Sequence, residues 1–332
     1  MLRKKWAVVA LAAVALGAAA PPTGPAFAAP SRDRAASDDA ALSGHRVTSI
    51  VVDPAGRVAD TAPAAEIKAI FGPDNRVPVS PTTSFPASAT VLLTFNGGQC
   101  TGFMISARTV ATAGHCVHTG GSNGTWRTNV VAYPGHDGTT APFGGCPATR
   151  LFAPQGWTGS VYAPGTGDPA YDYGAVQLAC AIGNQTGWFR LAYPTRPATG
   201  SCTTTHGYPV ERPGQWASED FIRAENAEFF YVLHDATSGQ DGSPLFLRRG
   251  PDATSGQDAS PLLPSSDPPD DLCPTLPELV IPCPCPPPPC LCPYSEVLGI
   301  LISGPFGDGP GAYHNIVRRL TQPVINNLMQ WS

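Results

Sequence analysis

The sequence has very little lysine and few charged residues. Lysine occurs only at Lys4, Lys5 and Lys68, and charged residues of all types make up 14% of the 332 residues. The formal net charge is -5, so the chain offers no basic patch and we expect no nucleic-acid partner. Long hydrophobic runs are also lacking. The apolar run from Ala7 to Ala20 is shorter than the roughly 20 residues that span a bilayer.

The N-terminus combines a basic stretch, this apolar run and a small-residue site. Residues 3–5 are basic, and residues 26–28 (AFA) fit the small-x-small cleavage rule. This order predicts a signal peptide over residues 1–28, and therefore a secreted, extracellular protein with no membrane attachment after cleavage. A membrane anchor is the alternative, which the alanine-rich run and the prolines that follow it disfavour.

Residues 29–75 are polar and alanine-rich, with few aromatic side chains. A segment of this kind between a signal peptide and a folded core predicts a propeptide or a flexible N-terminal segment. Within it, only Val47 to Val52 and Glu66 to Phe71 could form ordered structure. The folded domain is expected over residues 76–332.

Short β-rich runs dominate the sequence after residue 82. The candidate strands are 89–95, 100–106, 130–133, 173–178, 229–233, 244–247 and 297–302. The turns between them are rich in glycine and proline, which indicates a sandwich or barrel. At the end of the chain Thr321 and Pro323 form a typical helix start, and Val324, Leu328 and Trp331 fall near helical spacing. They predict a short C-terminal helix.

Two motifs carry groups suited to acyl transfer. Catalysis by a serine needs an imidazole that takes its proton, a carboxylate that orients the imidazole, and N–H groups that face the oxyanion. Residues 112–116 read TAGHC, with Cys100 sixteen residues before the final cysteine, and residues 172–178 read DYGAVQL. These strings resemble the histidine and aspartate motifs of chymotrypsin-fold serine peptidases, specifically the bacterial glutamyl endopeptidase group.

The resemblance implies catalytic roles for two residues, and it also implies one disulfide. His115 is expected to be the general base and Asp172 the carboxylate that orients it. Asp168 is a competitor for that role, although an ordinary loop aspartate is the interpretation we favour there. Export makes the compartment oxidising, so Cys100 and Cys116 are expected to be joined in a disulfide.

The third motif departs from the family at the nucleophile. Residues 235–246 read DATSGQDGSPLF, whereas the family reads like GxSGSP, so Asp241 falls where the nucleophilic serine is expected. Ser243 lies two residues later, and two residues of extended backbone move a side chain by roughly 7 Å. The N–H groups of Gly239 and Asp241 are the expected oxyanion hole. A carboxylate beside them would repel the developing negative charge.

The loss of the serine has a large expected consequence. Removing the nucleophile of such a triad costs on the order of 10⁶ in turnover. A second carboxylate near His115 would also raise the pKa of the imidazole and make it a poor base near neutral pH. In the family the strand of the specificity pocket reads like GIH, and its histidine binds the substrate carboxylate. Here the third position is Leu301, which the resemblance implies contacts the substrate but which cannot donate a hydrogen bond.

Two further features separate this chain from the family pattern. Residues 234–246 and 251–263 agree at 10 of 13 positions, and Asp258 is the second copy's equivalent of Asp241. The insert at about 249–293 contains five of the ten cysteines and a run of four prolines. Three interpretations of the insert stay open: its cysteines form disulfides, they bind a soft metal ion, or the insert is recent sequence under little selection. Outside it, the sequence suggests that Cys180 pairs with Cys202, which leaves Cys146 over.

The resemblance covers residues 76–331 without the insert. It implies an all-β, chymotrypsin-like double antiparallel β-barrel with a short C-terminal helix and a cleft between the barrels. We favour an inactive or strongly impaired homologue that binds a peptide or protein, acts as a monomer and needs no cofactor or metal. The alternative is an active secreted endopeptidase with a non-standard nucleophile and without specificity for glutamate.

Overall fold

The structure, a computed structural model, describes residues 45–52, 68–161, 167–248, 295–304 and 309–332. All of them belong to one compact unit, Asp39–Ser332. The expected signal peptide, the insert and the second copy of the duplicated segment lie outside the described residues.

Seventeen short strands are the main secondary structure of the described residues. In chain order they are β1 (Val47–Val51), β2 (Lys68–Ala69), β3 (Val77–Pro78), β4 (Thr90–Phe95), β5 (Gly98–Met104), β6 (Thr109–Thr112), β7 (Val131–Pro134), β8 (Cys146–Pro154), β9 (Gly174–Leu178), β10 (Arg190–Leu191), β11 (Cys202–Gly207), β12 (Trp216–Glu225), β13 (Phe229–Val232), β14 (Ala236–Thr237), β15 (Pro244–Arg248), β16 (Ser295–Ser303) and β17 (Asn315–Arg319). The helices are α1 (Gln155–Thr158), α2 (Gly183–Thr186) and α3 (Gln322–Gln330), and the 3₁₀ turns are Ala87–Ala89, Gly114–Cys116, Pro169–Tyr171 and Gly309–Ala312.

The first barrel is closed by six antiparallel strands. Their order is β8-β7-β4-β5-β6-β9, and β9 pairs back with β8. In β4 the side chains of Val91, Leu93 and Phe95 are buried, because alternate residues of a strand face the same side of the sheet. Strand β1 adds to the outside of β8, so part of the segment 29–75 is packed on the barrel.

The second barrel repeats this arrangement. Its six strands follow the order β16-β15-β11-β12-β13-β17, and β17 pairs back with β16. The short strand β10 pairs in parallel with β16, and β3 pairs with β12. The predicted all-β double barrel is therefore confirmed.

The predicted C-terminal helix is confirmed as α3, which lies against the first barrel. Val324 and Leu328 are fully buried, as the helical spacing of apolar residues predicts. The ring of Trp331 stacks on the ring of Phe152, with the centroids 5.4 Å apart. Among the described residues, no helix is long and apolar enough to cross a membrane.

The disulfides agree with one expectation and correct another. Cys100 and Cys116 are joined, as predicted. The suggested pairing of Cys180 with Cys202 is wrong, because Cys180 is bonded to Cys146. Strands β8 and β9 are neighbours in the first barrel, which brings the start of β8 beside the residues that follow β9. Cys202 begins β11 in the second barrel and is itself disulfide-bonded.

Candidate active site

The three residues singled out by the motifs meet between the two barrels. His115 lies in the turn directly after β6, and Asp172 lies directly before β9. Because β6 pairs with β9 up to the register Thr112↔Gly174, the two side chains come together at one end of the first barrel. Asp241 reaches them from the loop between β14 and β15 of the second barrel.

The carboxylate of Asp172 holds His115 at two points. One oxygen accepts the backbone N–H of His115 at 2.8 Å, and the other lies 2.9 Å from Nδ1, which donates to it. Asp172 is buried, so little water competes for these bonds. The guanidinium of Arg127 also donates to the carbonyl oxygen of His115, at 3.0 and 3.2 Å. The ring orientation is thus fixed from both its side chain and its backbone.

Asp168 has a different environment from Asp172. Its carboxylate accepts the N–H of Ala170 at 3.0 Å and caps the 3₁₀ turn Pro169–Tyr171. The interpretation of Asp168 as an ordinary loop aspartate agrees with this contact.

Asp241 approaches the other nitrogen of His115. Its Oδ2 lies 3.6 Å from Nε2, and 31% of the Asp241 side chain and 26% of the His115 side chain are exposed. The imidazole therefore lies between two carboxylates. Burial by itself lowers the pKa of His115, but the charges and hydrogen bonds of Asp172 and Asp241 outweigh it and raise the pKa to about 10.

The backbone around Asp241 is bonded to the first barrel through Thr101 of β5. The N–H of Thr101 donates to the carbonyl of Asp241 at 2.9 Å, and its hydroxyl donates to the carbonyl of Gly239 at 2.8 Å. Gly242 has a φ of +88°, and a Cβ there would lie 2.0 Å from the carbonyl oxygen of Thr101. A glycine is required at this position because the two backbones approach so closely.

Two N–H groups of the same loop have no acceptor among the described residues. The N–H groups of Gln240, Gly242 and Ser243 donate to carbonyls of Thr237, Leu301 and Gln240. The N–H groups of Gly239 and Asp241, the expected oxyanion-hole pair, make no such bond within the described parts of the chain. Any acceptor of these two N–H groups therefore lies outside the described residues.

Ser243 and Leu301 are both turned into the protein. The hydroxyl of Ser243 is fully buried and donates to the carbonyl of Gln240 at 2.5 Å. Leu301 is 3% exposed and belongs to the apolar cluster of the second barrel, together with Leu298 and Val317. The expected contact between Leu301 and a substrate stays a prediction.

Sequence reasoning missed several residues that shape this site. Thr101 and Arg127 bond directly to the backbones of the predicted site residues, and Arg76 and Asp235 support the loop before Asp241. None of the four lies in a pattern that marks such a contact. They were missed because each acts through backbone atoms or side chains distant in sequence.

One group of possible metal ligands adjoins the site. A nitrogen of His115 and the sulfurs of Cys100 and Cys116 lie within 4.8 Å of one another. Both sulfurs are used in a disulfide, so they are not thiolates and this group does not suit a metal ion.

Known proteins resemble this chain in sequence and in fold. The family model described as Trypsin matches residues 77–224. A glutamyl endopeptidase of Bacillus licheniformis is 34% identical over 250 residues, which cover 67% of this chain and 76% of that protein. An extracellular metalloprotease of Bacillus subtilis is 34% identical over 187 residues, or 53% of this chain and 57% of that protein.

A solved structure supports the same relationship at the level of the fold. A Glu endopeptidase in complex with MPD superposes with a TM-score of 0.58 and 20% identity, covering 79% of this chain and 98% of that one. The sequence identity to the Bacillus licheniformis enzyme extends over three quarters of its length. The chain therefore belongs to the glutamyl endopeptidase group of the trypsin-like serine peptidases.

Proposed function

We propose that this protein is a secreted, non-catalytic member of its family that binds a peptide or protein in the cleft between the barrels. The observation that carries the proposal is the carboxylate of Asp241, 3.6 Å from Nε2 of His115. A serine hydroxyl is expected there in the family, so the nucleophile is replaced by the partner of an ion pair.

The charge on His115 supports loss of catalysis. With a pKa of about 10, the imidazole is protonated at neutral pH and has no lone pair on Nε2 with which to accept a proton. The nearby hydroxyl of Ser243 does not replace the nucleophile, because it is buried and already donates to the carbonyl of Gln240. No second candidate nucleophile contacts His115 among the described residues.

The backbone of the loop supports a role in binding. The N–H groups of Gly239 and Asp241 can donate to a peptide carbonyl, and membership of a peptidase family implies a peptide or protein ligand. The carboxylate of Asp241 disfavours an anionic group at the same place. Specificity for glutamate, which the name of the Bacillus licheniformis relative states for that enzyme, is not part of this proposal, because Leu301 cannot bind a carboxylate.

The proposal includes secretion of the protein and the division of its N-terminal region. The basic and apolar pattern of residues 1–28 supports a signal peptide, and one relative is named an extracellular metalloprotease. Residues 29–75 remain a proposed propeptide or N-terminal segment, although its stretches 45–52 and 68–75 are packed against the barrels. We further propose that the protein acts as a monomer.

An active endopeptidase with a non-standard nucleophile is the second candidate. Two observations favour it: the intact contacts between His115 and Asp172, and the N–H groups of Gly239 and Asp241, which have no acceptor in the described parts of the chain. The two candidate functions predict opposite results when the natural protein is assayed for peptide cleavage.

The decisive experiment restores the serine. The purified protein and its Asp241→Ser variant are incubated with a mixed peptide library, and the products are identified by mass spectrometry. We expect only the variant to cleave peptides, and His115→Ala in the same background to abolish that cleavage. Asp258→Ser is the matched control, because it makes the same change in the second copy and should leave the protein inactive.

A binding measurement completes the test. A labelled peptide that the Asp241→Ser variant cleaves is titrated with the natural protein, and we expect saturable binding by fluorescence anisotropy. Cleavage by the natural protein that His115→Ala removes would establish the second candidate instead. Restored cleavage without binding by the natural protein would exclude the binding role, and absence of restored cleavage would exclude a functional cleft.

A further inference from the structure

The segment just before the first barrel runs across the second barrel. We call residues 68–79 the strap. Its strand β2 pairs with β14, and its strand β3 pairs with β12. The N–H of Val79 then donates to the carbonyl of Gln215 at 2.8 Å. The strap therefore lies beside β14, the strand that leads into the loop of Asp241.

Asp235 anchors the strap to the base of this loop. Its buried carboxylate accepts the N–H of Phe71 with one oxygen and the N–H of Asn75 with the other, both at 2.8 Å. Burial raises the pKa of Asp235, and these two hydrogen bonds act in the opposite direction. A short loop of the strap is thus held at both ends by one carboxylate.

Arg76 carries the contact from the strap into the loop itself. Its side chain is 1% exposed, and two carboxylates, those of Asp74 and Glu211, lie at 2.8 and 2.7 Å from Nη2. The other terminal nitrogen, Nη1, donates to the hydroxyl of Thr237 at 2.8 Å and to Oε1 of Gln240 at 2.6 Å. A guanidinium suits this place because its planar donors can bind several acceptors at once.

Gln240 immediately precedes Asp241 and is fully buried. Its Oε1 accepts from Arg76 and from the N–H of Thr237 at 3.0 Å, whereas its Nε2 has no partner among the described residues. Rotating the amide would place its NH₂ group against the guanidinium, donor against donor. The contact with Arg76 therefore determines how this side chain is oriented.

We propose that Arg76 is a positioning residue: by binding Gln240 from the strap, it fixes the carboxylate of Asp241 in the cleft. The geometry makes the strap a structural part of the site. Backbone bonds of its own turn, and bonds of its backbone with Thr101, Val210 and Leu301, also hold the loop between β14 and β15, and none of these involves the side chain of Gln240.

The test replaces Arg76 with methionine in the full chain and follows His115 by NMR. The Cε1 signal of the imidazole is titrated, and hydrogen exchange is measured at the amides of residues 237–242. We expect the titration midpoint to fall by roughly one to three pH units as Asp241 leaves Nε2, and the amides to exchange faster. Loss of the positive charge of Arg76 would by itself raise the titration midpoint of His115. A fall in that midpoint therefore identifies displacement of Asp241.

Two further variants separate positioning from general destabilisation. Arg212→Met is the matched control, because Arg212 also contacts Asp74 and packs on Trp216 but does not touch the loop. It should leave the midpoint and the exchange rates unchanged. Arg76→Lys keeps the charge without the planar donors and should give an intermediate midpoint.

A second route keeps the test decisive if Arg76→Met does not fold. Gln240→Met removes the acceptor in the loop and leaves Arg76 with its two carboxylates, and the same fall is expected. A folded Arg76→Met or Gln240→Met protein with the natural midpoint and natural exchange would overturn the proposal. Neither measurement needs a ligand or turnover, so the result does not depend on whether the cleft binds peptides.

Discussion

A serine hydroxyl and an aspartate carboxylate act in opposite ways on a neighbouring imidazole. The hydroxyl offers a proton and needs a neutral ring to take it, whereas the carboxylate offers a negative charge and stabilises the protonated ring. In this chain His115 contacts a carboxylate at each nitrogen. The aspartate at position 241 therefore favours the protonated form of His115.

This ion pair should make the stability of the protein depend on alkaline pH. The pKa of His115 in the folded state, about 10, lies above the value of 6.5 for an unperturbed histidine. The resulting stabilisation is complete below pH 6.5 and is lost as the pH rises towards 10. In Asp241→Asn the folded-state pKa falls, so we expect the variant to unfold at a lower temperature than the natural protein at pH 6 and the difference to shrink at pH 10.

Thermal unfolding at pH 6, 8 and 10 measures this difference. Asp168→Asn is the control, because it also neutralises an aspartate but one that caps a turn and does not contact His115. Its difference from the natural protein should be similar at all three pH values. A constant difference for Asp241→Asn would contradict the assigned ion pair.

At the scale of elements, strands with a continuous apolar run are predictable from the sequence, whereas strands of mixed or polar composition are not. The runs that became β4, β9 and β16 were expected from their valine, leucine and isoleucine content. Strands β6, β8, β11, β12 and β17 are not predicted from the sequence. In β11 and β12 many of the buried positions hold polar side chains, chiefly the threonines of β11 and Asp220 of β12. Thr203 donates to the carbonyl of Asp220, and the carboxylate of Asp220 accepts the N–H of Leu233. Partners from other strands satisfy these polar groups, and a single sequence does not show them.

Helix α3 provides a prediction of its own. Leu328 is fully buried against the first barrel, whereas Met329 next to it is 57% exposed. We expect Leu328→Ala to lower the free energy of unfolding by about 2–5 kcal/mol, since it leaves a cavity in a packed core. Met329→Ala should change it by about 0.5 kcal/mol or less. Urea unfolding curves of the two variants give both values, and equal losses would show that α3 is not packed as described.

At the scale of the whole molecule, the site depends on contacts that local patterns do not encode. The motifs identified His115 and Asp172 and the position of Asp241, and the fold brings these residues together. The contacts of Arg76 with Gln240 and of Thr101 with the same loop join segments more than 130 residues apart. Their residue types are common and carry no spacing that would predict them.

One buried histidine, His234, and one half-buried histidine, His45, should make the whole protein sensitive to acid. Burial, with Arg318 adding to it for His45, lowers the pKa of both His45 and His234 to about 4 in the folded state. The unfolded chain binds these protons first, so stability should fall as the pH drops from about 6.5 to 4. Urea unfolding at pH 7, 5.5 and 4 should show this decrease.

The steepness with which the free energy of unfolding falls with pH identifies the histidines responsible. His234→Leu removes one of the two protons, so its stability should fall less steeply between pH 6.5 and 4 even if it is lower throughout. Met329→Ala, which changes an exposed side chain that does not titrate, should keep the natural slope. The same slope in His234→Leu as in the natural protein would assign the acid sensitivity to other groups.

The hydrogen bonds between Thr101 and the loop of Asp241 have an evolutionary consequence. They join Thr101 to the carbonyl oxygens of Gly239 and Asp241, atoms that every amino acid provides. Selection for folding therefore does not distinguish a serine from an aspartate at position 241 through these bonds. A lineage could exchange the reactive group while inheriting the scaffold around it, and a reverse change would find that scaffold already in place.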